Sequence, residues 1–96
     1  LSVILSGSQF NGCDFSSSTF SSVKLQASQF NSCSFSSATL FDSDLRGAIF
    51  DECSFTSTRL LRCDLRGAVF RRCAFSDYVF ADTALKETIF QECSDN

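Results

Sequence analysis

Every fifth residue of this 96-residue chain, from Leu5 to Phe90, is leucine or phenylalanine, 18 positions in succession. Of its 12 phenylalanines only Phe41 lies off this register. A five-residue period suits neither regular element. Five steps along an α-helix rotate a side chain by about 140° and spread the large residues round the cylinder, while an odd step along a strand alternates faces. The simplest backbone that aims every fifth side chain at one axis turns by about 90° per quintet and closes a square coil about every twenty residues. A second period should then appear at about twenty, and it does. One side carries Leu5, Leu25, Leu45, Leu65 and Leu85; the next carries Phe10, Phe30, Phe50, Phe70 and Phe90. The third carries Phe15, Phe35, Phe55 and Phe75, and the fourth mixes Phe20, Leu40, Leu60 and Phe80. The chain reads as all-β: one four-sided β-solenoid domain over residues 1–96, about 20 residues per coil, with fewer than five coils.

Strand alternation points the residue two before each centre inward as well. Its occupants are small: Val3, Ser8, Cys13, Ser18 and Val23 begin the series, and Thr83, Thr88 and Cys93 end it. Tyr78 is the exception, and the spacing predicts a distorted coil, an outward swing or a hydroxyl set against solvent at a bulge there. The four glycines, Gly7, Gly12, Gly47 and Gly67, all fall two places after a centre, where a corner demands positive φ. Cys13, Cys33, Cys53, Cys73 and Cys93 form one inward column, with Cys63 on another side. Coils about 4.8 Å apart hold such neighbours beyond the usual disulfide span, and a straight column offers no tetrahedral metal site, so the thiols read as inert filler.

Composition narrows the function. The absence of histidine removes His-based triads and His-ligated metal hydrolases. No Gly-x-Ser-x-Gly elbow or Gly-rich phosphate loop with lysine is present. Of the acidic pairs Asp42 with Asp44 and Asp51 with Glu52, the residues Asp42, Asp51 and Glu52 sit at offsets that set them against arginines on neighbouring coils. Expected columns are Asp42, Arg62 and Asp82; Glu52, Arg72 and Glu92; and Asp51 under Arg71. No enzymatic activity, catalytic residue, metal or cofactor is expected, and no small-molecule substrate. A net charge of −3 argues against direct nucleic-acid binding. No apolar run is long enough for a membrane span and the first residues do not resemble a signal peptide, which favours a soluble, cytoplasmic protein of unestablished compartment. The missing initiator Met suggests a processed chain or an excised fragment.

The quintets resemble the pentapeptide-repeat family, whose motif is a small residue, a polar one, Leu or Phe, then two variable positions. Ala48-Ile49-Phe50, Cys63-Asp64-Leu65-Arg66-Gly67 and Ala68-Val69-Phe70 carry the resemblance, with Ile49 and Val69 apolar where the motif is usually polar. It extends from Val3 to Cys93 and implies a right-handed quadrilateral β-helix. Relatives of this kind include proteins that bind type II topoisomerases and protect against quinolones or peptide toxins, and domains of secreted bacterial effectors. The Phe-x-x-Cys-x-Phe spacing at Phe10 to Phe15 and Phe70 to Phe75 is similar to the topoisomerase-protecting branch.

Function must reside in the outward residues. Arg46, Arg66 and Lys86 stack with like charge, although Asp44 and Asp64 lie two places away on the same side. Ile49, Val69 and Ile89 form an outward β-branched stripe, and Phe41 and Leu61 a second apolar stripe on the fourth side. Up to Phe41 the only charged residues are Asp14 and Lys24, so an electrostatic partner would prefer the later coils. These eight residues are the expected contact surface of a non-catalytic bacterial scaffold for a protein partner. The alternatives are a gyrase-binding quinolone- or toxin-protection protein and the β-helix domain of a larger secreted effector. Apolar coil ends and open strand edges would also permit an end-to-end homodimer.

Overall fold

The computed structural model describes residues 3–76 and 79–95, so the expectation for Tyr78 lies outside the described residues. These residues form short parallel strands and corners, with no helix among them, wound into a β-solenoid of about four coils. Every strand pair is offset by 20 residues. The second face is the most regular, stacking Gln9–Asn11, Gln29–Asn31, Ile49–Asp51, Val69–Arg71 and Ile89–Gln91. The fourth stacks Thr19–Ser21, Thr39–Phe41, Arg59–Leu61 and Phe80–Ala81. The first face pairs Val3–Ile4 with Val23–Lys24 and the third stacks Ser54–Phe55, Ala74–Phe75 and Ser94–Asp95, both continuing elsewhere by single bridges such as Lys24 to Asp44 and Ser34 to Ser54. The molecule measures 32 × 27 × 20 Å, a squat block with four faces.

The quintet centres fill the axis. From Leu25 to Phe70 each is at most 2% exposed. Full burial of one such side chain contributes about 1.5 to 3 kcal/mol. On the second face the rings of Phe10, Phe30, Phe50, Phe70 and Phe90 stack at successive centroid distances of 4.9, 4.9, 4.7 and 5.1 Å. The third-face rings repeat at 5.2 Å and meet those of the second edge-to-face at about 5.4 Å. Both arrangements suit the ring quadrupole and add about 0.5 to 1.5 kcal/mol per pair beyond area burial. At the two ends the same positions open: Leu5, Leu85 and Phe90 are 37%, 39% and 45% exposed.

Positive φ is not confined to the glycines. Thirteen non-glycine residues among those described adopt it too, from Ser17 to Glu92, and every one lies two places after a centre. The corners differ by face. After the first and third faces the chain closes a turn with a hydrogen bond from residue i+3 to the centre's carbonyl, as from Ala48 N to Leu45 O at 3.0 Å. With positive φ at its third residue this has the form of a type II turn. From Gly7 to Arg72 the N–H of the positive-φ residue donates to the next coil, as Ser32 N does to Asp51 O at 2.8 Å.

The small inward residues do more than fill space. Thr58 Oγ1 donates to Phe35 O at 2.6 Å, Thr88 Oγ1 to Leu65 O at 2.7 Å and Ser28 Oγ to Leu5 O at 3.0 Å. Cysteines follow the same rule, with Cys53, Cys63, Cys73 and Cys93 Sγ each 3.3 Å from the carbonyl oxygen of the residue 23 places earlier. A side chain with one donor therefore ties each coil to the one before, a role that the reading of the thiols as plain filler missed. All six cysteines are free. Among the described residues the repeat lapses at Val79, which is buried at 5% exposure where Thr39 and Arg59, at the equivalent place, face outward.

Candidate interaction surface

The chain leaves the fourth face at Phe41, turns at Asp42, crosses the first face at Asp44 to Arg46 and reaches the second at Ile49. One coil later Leu61, Asp64, Arg66 and Val69 repeat that path in register. The expected contact residues thus form one band round two corners, with a charged column in the middle and an apolar column on either side. Phe41 and Leu61 pair across adjacent strands and are half-buried, as are Ile49 and Val69. Ile89 continues the second column and is 47% exposed.

The middle column corrects the sequence reading. Arg46 and Arg66 do not present unbalanced like charge: each folds back on the aspartate two places before it. Arg46 Nη2 lies 2.7 Å from Asp44 Oδ2 and Arg66 Nη2 2.6 Å from Asp64 Oδ2, with a further Arg46 to Asp64 approach of 3.9 Å. Two residues along an extended strand share a face, so the fork and the carboxylate meet without crossing coils. The guanidinium hydrogen bonds hold Asp44 and Asp64 below the usual carboxylate range. Lys86 has Ala84 at the place of those aspartates and makes no ion pair among the described residues.

Elsewhere the expected columns hold in part. Arg62 Nε contacts Asp42 Oδ1 at 2.9 Å. Arg72 turns to Asp51 at 2.7 Å instead of to Glu52 and Glu92, the carboxylates of its own column. Its corner position has positive φ, which swings the side chain toward the second face. Arg71 shares Asp51 at 4.0 Å. Asp42, Asp44, Asp64 and Asp82, with Arg62 and Arg66, line an open groove of about 460 Å³ at the corner between the fourth and first faces.

The first coils bear a different surface. Asn31 Nδ2 donates to Asn11 Oδ1 at 2.8 Å, and Gln9 Nε2 approaches Gln29 Oε1 at 3.4 Å. On the third face Ser16, Ser34, Ser36, Ser54 and Thr56 form a chain of hydroxyl contacts of 2.9 to 3.3 Å. These serines bond to one another, and none meets a histidine, since the chain has none. Burial pushes the Cys33, Cys63 and Cys93 thiols up, away from the thiolate, while the contact with Cys53 lowers Cys73.

A family profile described as the pentapeptide repeat region matches residues 3–74. The chain belongs to the pentapeptide-repeat family, as the quintet register and the four-sided stack require. Among solved structures it is similar to HetL, a pentapeptide repeat protein involved in heterocyst differentiation regulation from the cyanobacterium Nostoc sp. strain PCC 7120. The identity is 15% and the TM-score 0.51, covering 95% of this chain and 52% of HetL. The chain therefore spans about half the length of that relative. Rfr23 from Cyanothece 51142 is 13% identical with a TM-score of 0.34, over 98% of this chain and 84% of Rfr23. QnrB1, a plasmid-mediated fluoroquinolone resistance protein, is 13% identical with a TM-score of 0.26, over 97% of this chain and 82% of QnrB1. Comparison with curated protein sequences gives no match. No helix among the described residues is long and apolar enough to cross a membrane.

Proposed function

We propose that this chain is a non-catalytic scaffold that binds a protein partner through the band formed by Phe41, Leu61, Arg46, Arg66, Ile49, Val69, Ile89 and Lys86. One observation carries the reading. Along the second face the same outward column holds Gln9 and Gln29 in the first coils and then Ile49, Val69 and Ile89. Along the fourth it holds Ser21 and then Phe41 and Leu61. β-propensity alone does not account for the change, because glutamine and serine serve the identical strand positions. Apolar ladders that stay half-exposed on consecutive rungs suit contact with another protein.

Arg46 and Arg66 between the ladders are already matched by Asp44 and Asp64, so attraction rests on apolar burial more than on net field. Binding should therefore persist in salt: raising ionic strength from 0.05 to 0.5 M should change Kd by less than about threefold. The test is affinity capture with the intact protein and with Val69→Asp, compared by quantitative mass spectrometry. A partner captured by the wild type and lost with Val69→Asp supports the band; equal capture by both removes it. A gyrase supercoiling assay with and without quinolone separates this reading from topoisomerase protection.

A further inference from the structure

The cysteine column contains a repeat that its role in packing does not use. Cys33, Cys53, Cys73 and Cys93 donate to equivalent acceptors, the carbonyls of Phe10, Phe30, Phe50 and Phe70 and those two residues before each thiol. Cys13 makes the second of these contacts, to Asn11 O. Equivalent acceptors mean one shared rotamer, so the sulfurs repeat with the coil. The phenylalanine rings beside them repeat at 4.7 to 5.1 Å. Two metal–thiolate bonds of about 2.3 Å laid end to end span about 4.6 Å, close to the strand spacing of about 4.8 Å.

We propose that adjacent thiols of this column bind a linear, two-coordinate, divalent thiophilic cation of the Hg(II) type, one cation between two sulfurs. Only two donors meet at each gap, and no group of three or more His, Cys, Asp or Glu among the described residues is placed to hold a metal. Tetrahedral zinc is thereby disfavoured and a soft two-coordinate ion favoured. Charge selects the valence. When Hg(II) enters, two S–H bonds break, two S–Hg bonds form, two protons leave to solvent and no atom is oxidised or reduced. The product is a neutral bis-thiolate, which the apolar axis accepts. A monovalent soft cation in the same gap would leave one buried negative charge, at a cost of several kcal/mol.

Each cation uses two neighbours, so five thiols in a row hold two cations. Cys63 stands between Ser43 and Thr83 in its own column and has no sulfur beside it. Native mass spectrometry of the reduced protein titrated with Hg(II), in the presence of a competing monothiol, counts the sites that use two protein sulfurs. The near-ultraviolet charge-transfer band reports thiolate ligation, and circular dichroism reports the fold. Serine already occupies the equivalent inward position at Ser28 and Ser43, so Cys→Ser variants keep a tolerated side chain. Wild type, Cys63→Ser and Cys53→Ser should each bind two ions, because removing the middle cysteine leaves Cys13 with Cys33 and Cys73 with Cys93. Cys33→Ser and Cys73→Ser should each bind one, and the double variant Cys33→Ser with Cys73→Ser none. A loss that follows the number of cysteines rather than their adjacency would overturn the proposal. So would retention of ions by the double variant, or uptake only with loss of the β-sheet spectrum.

Discussion

The corner residues carry strain that the glycines relieve. L-residues in the left-handed region cost about 1 kcal/mol or more, a cost glycine does not bear. Ser37 has φ 59°, is exposed and donates its N–H to Thr56 O. Ser37→Gly should therefore raise stability by about 0.5 to 1 kcal/mol, less what glycine adds to unfolded-chain entropy. Gly47 has φ 68°, and a Cβ there would meet nothing nearer than Ala27 N at 4.0 Å. Its replacement by alanine is thus a conformational test free of clash, expected to cost about 1 kcal/mol in urea unfolding. The aspartates make a second prediction. Asp44 and Asp64 are depressed below their ordinary value of 3.8 by Arg46 and Arg66. Their contribution is complete above that value and is lost as the pH falls through the lower folded values. The arginines are about half exposed, so the effect is at most about 1 kcal/mol. Urea midpoints should be flat from pH 7 to about 5 and fall below 4, and Asp64→Asn should flatten part of that limb.

At the scale of a face, burial depends on position along the stack and not on residue type. Leu45 is fully buried and Leu85 is 39% exposed, though both are first-face centres. Leu45→Ala should cost about 2 to 5 kcal/mol and Leu85→Ala clearly less, measured by thermal or urea unfolding. The core was readable from sequence because a square coil is the simplest geometry for period five and all 18 centres keep that period. The inward small positions and the glycine corners followed from the same geometry. Outward long side chains were less legible. The period fixes where Cα lies but not which rotamer a guanidinium takes, so Arg46 and Arg66 folding back on Asp44 and Asp64 was not anticipated. Arg72 choosing Asp51 over its own column has the same origin. The second function of the small residues, donation to a carbonyl 23 places earlier, needed the depth between coils that a one-dimensional pattern does not contain.

For the whole molecule, each coil contacts only its neighbours, so stability is the sum of similar interfaces and is weakest where a coil has one neighbour. The exposed Ile4, Leu85, Ile89 and Phe90 mark those ends. Amide exchange should accordingly be slowest between Leu25 and Phe70 and quicken toward both ends. The band of Phe41, Leu61, Ile49 and Val69 lies on the interior coils, which gives the proposed contact surface the most rigid part of the stack. Everything rests on coils that stack in register with a period of twenty. The most direct measurement is a nuclear Overhauser spectrum of the protein with selectively labelled phenylalanine. The fold requires ring contacts between Phe30 and Phe50, between Phe50 and Phe70, and between Phe35 and Phe55, all 20 residues apart. A spectrum in which those pairs are silent and the rings contact only near neighbours in sequence would contradict the four-sided stack.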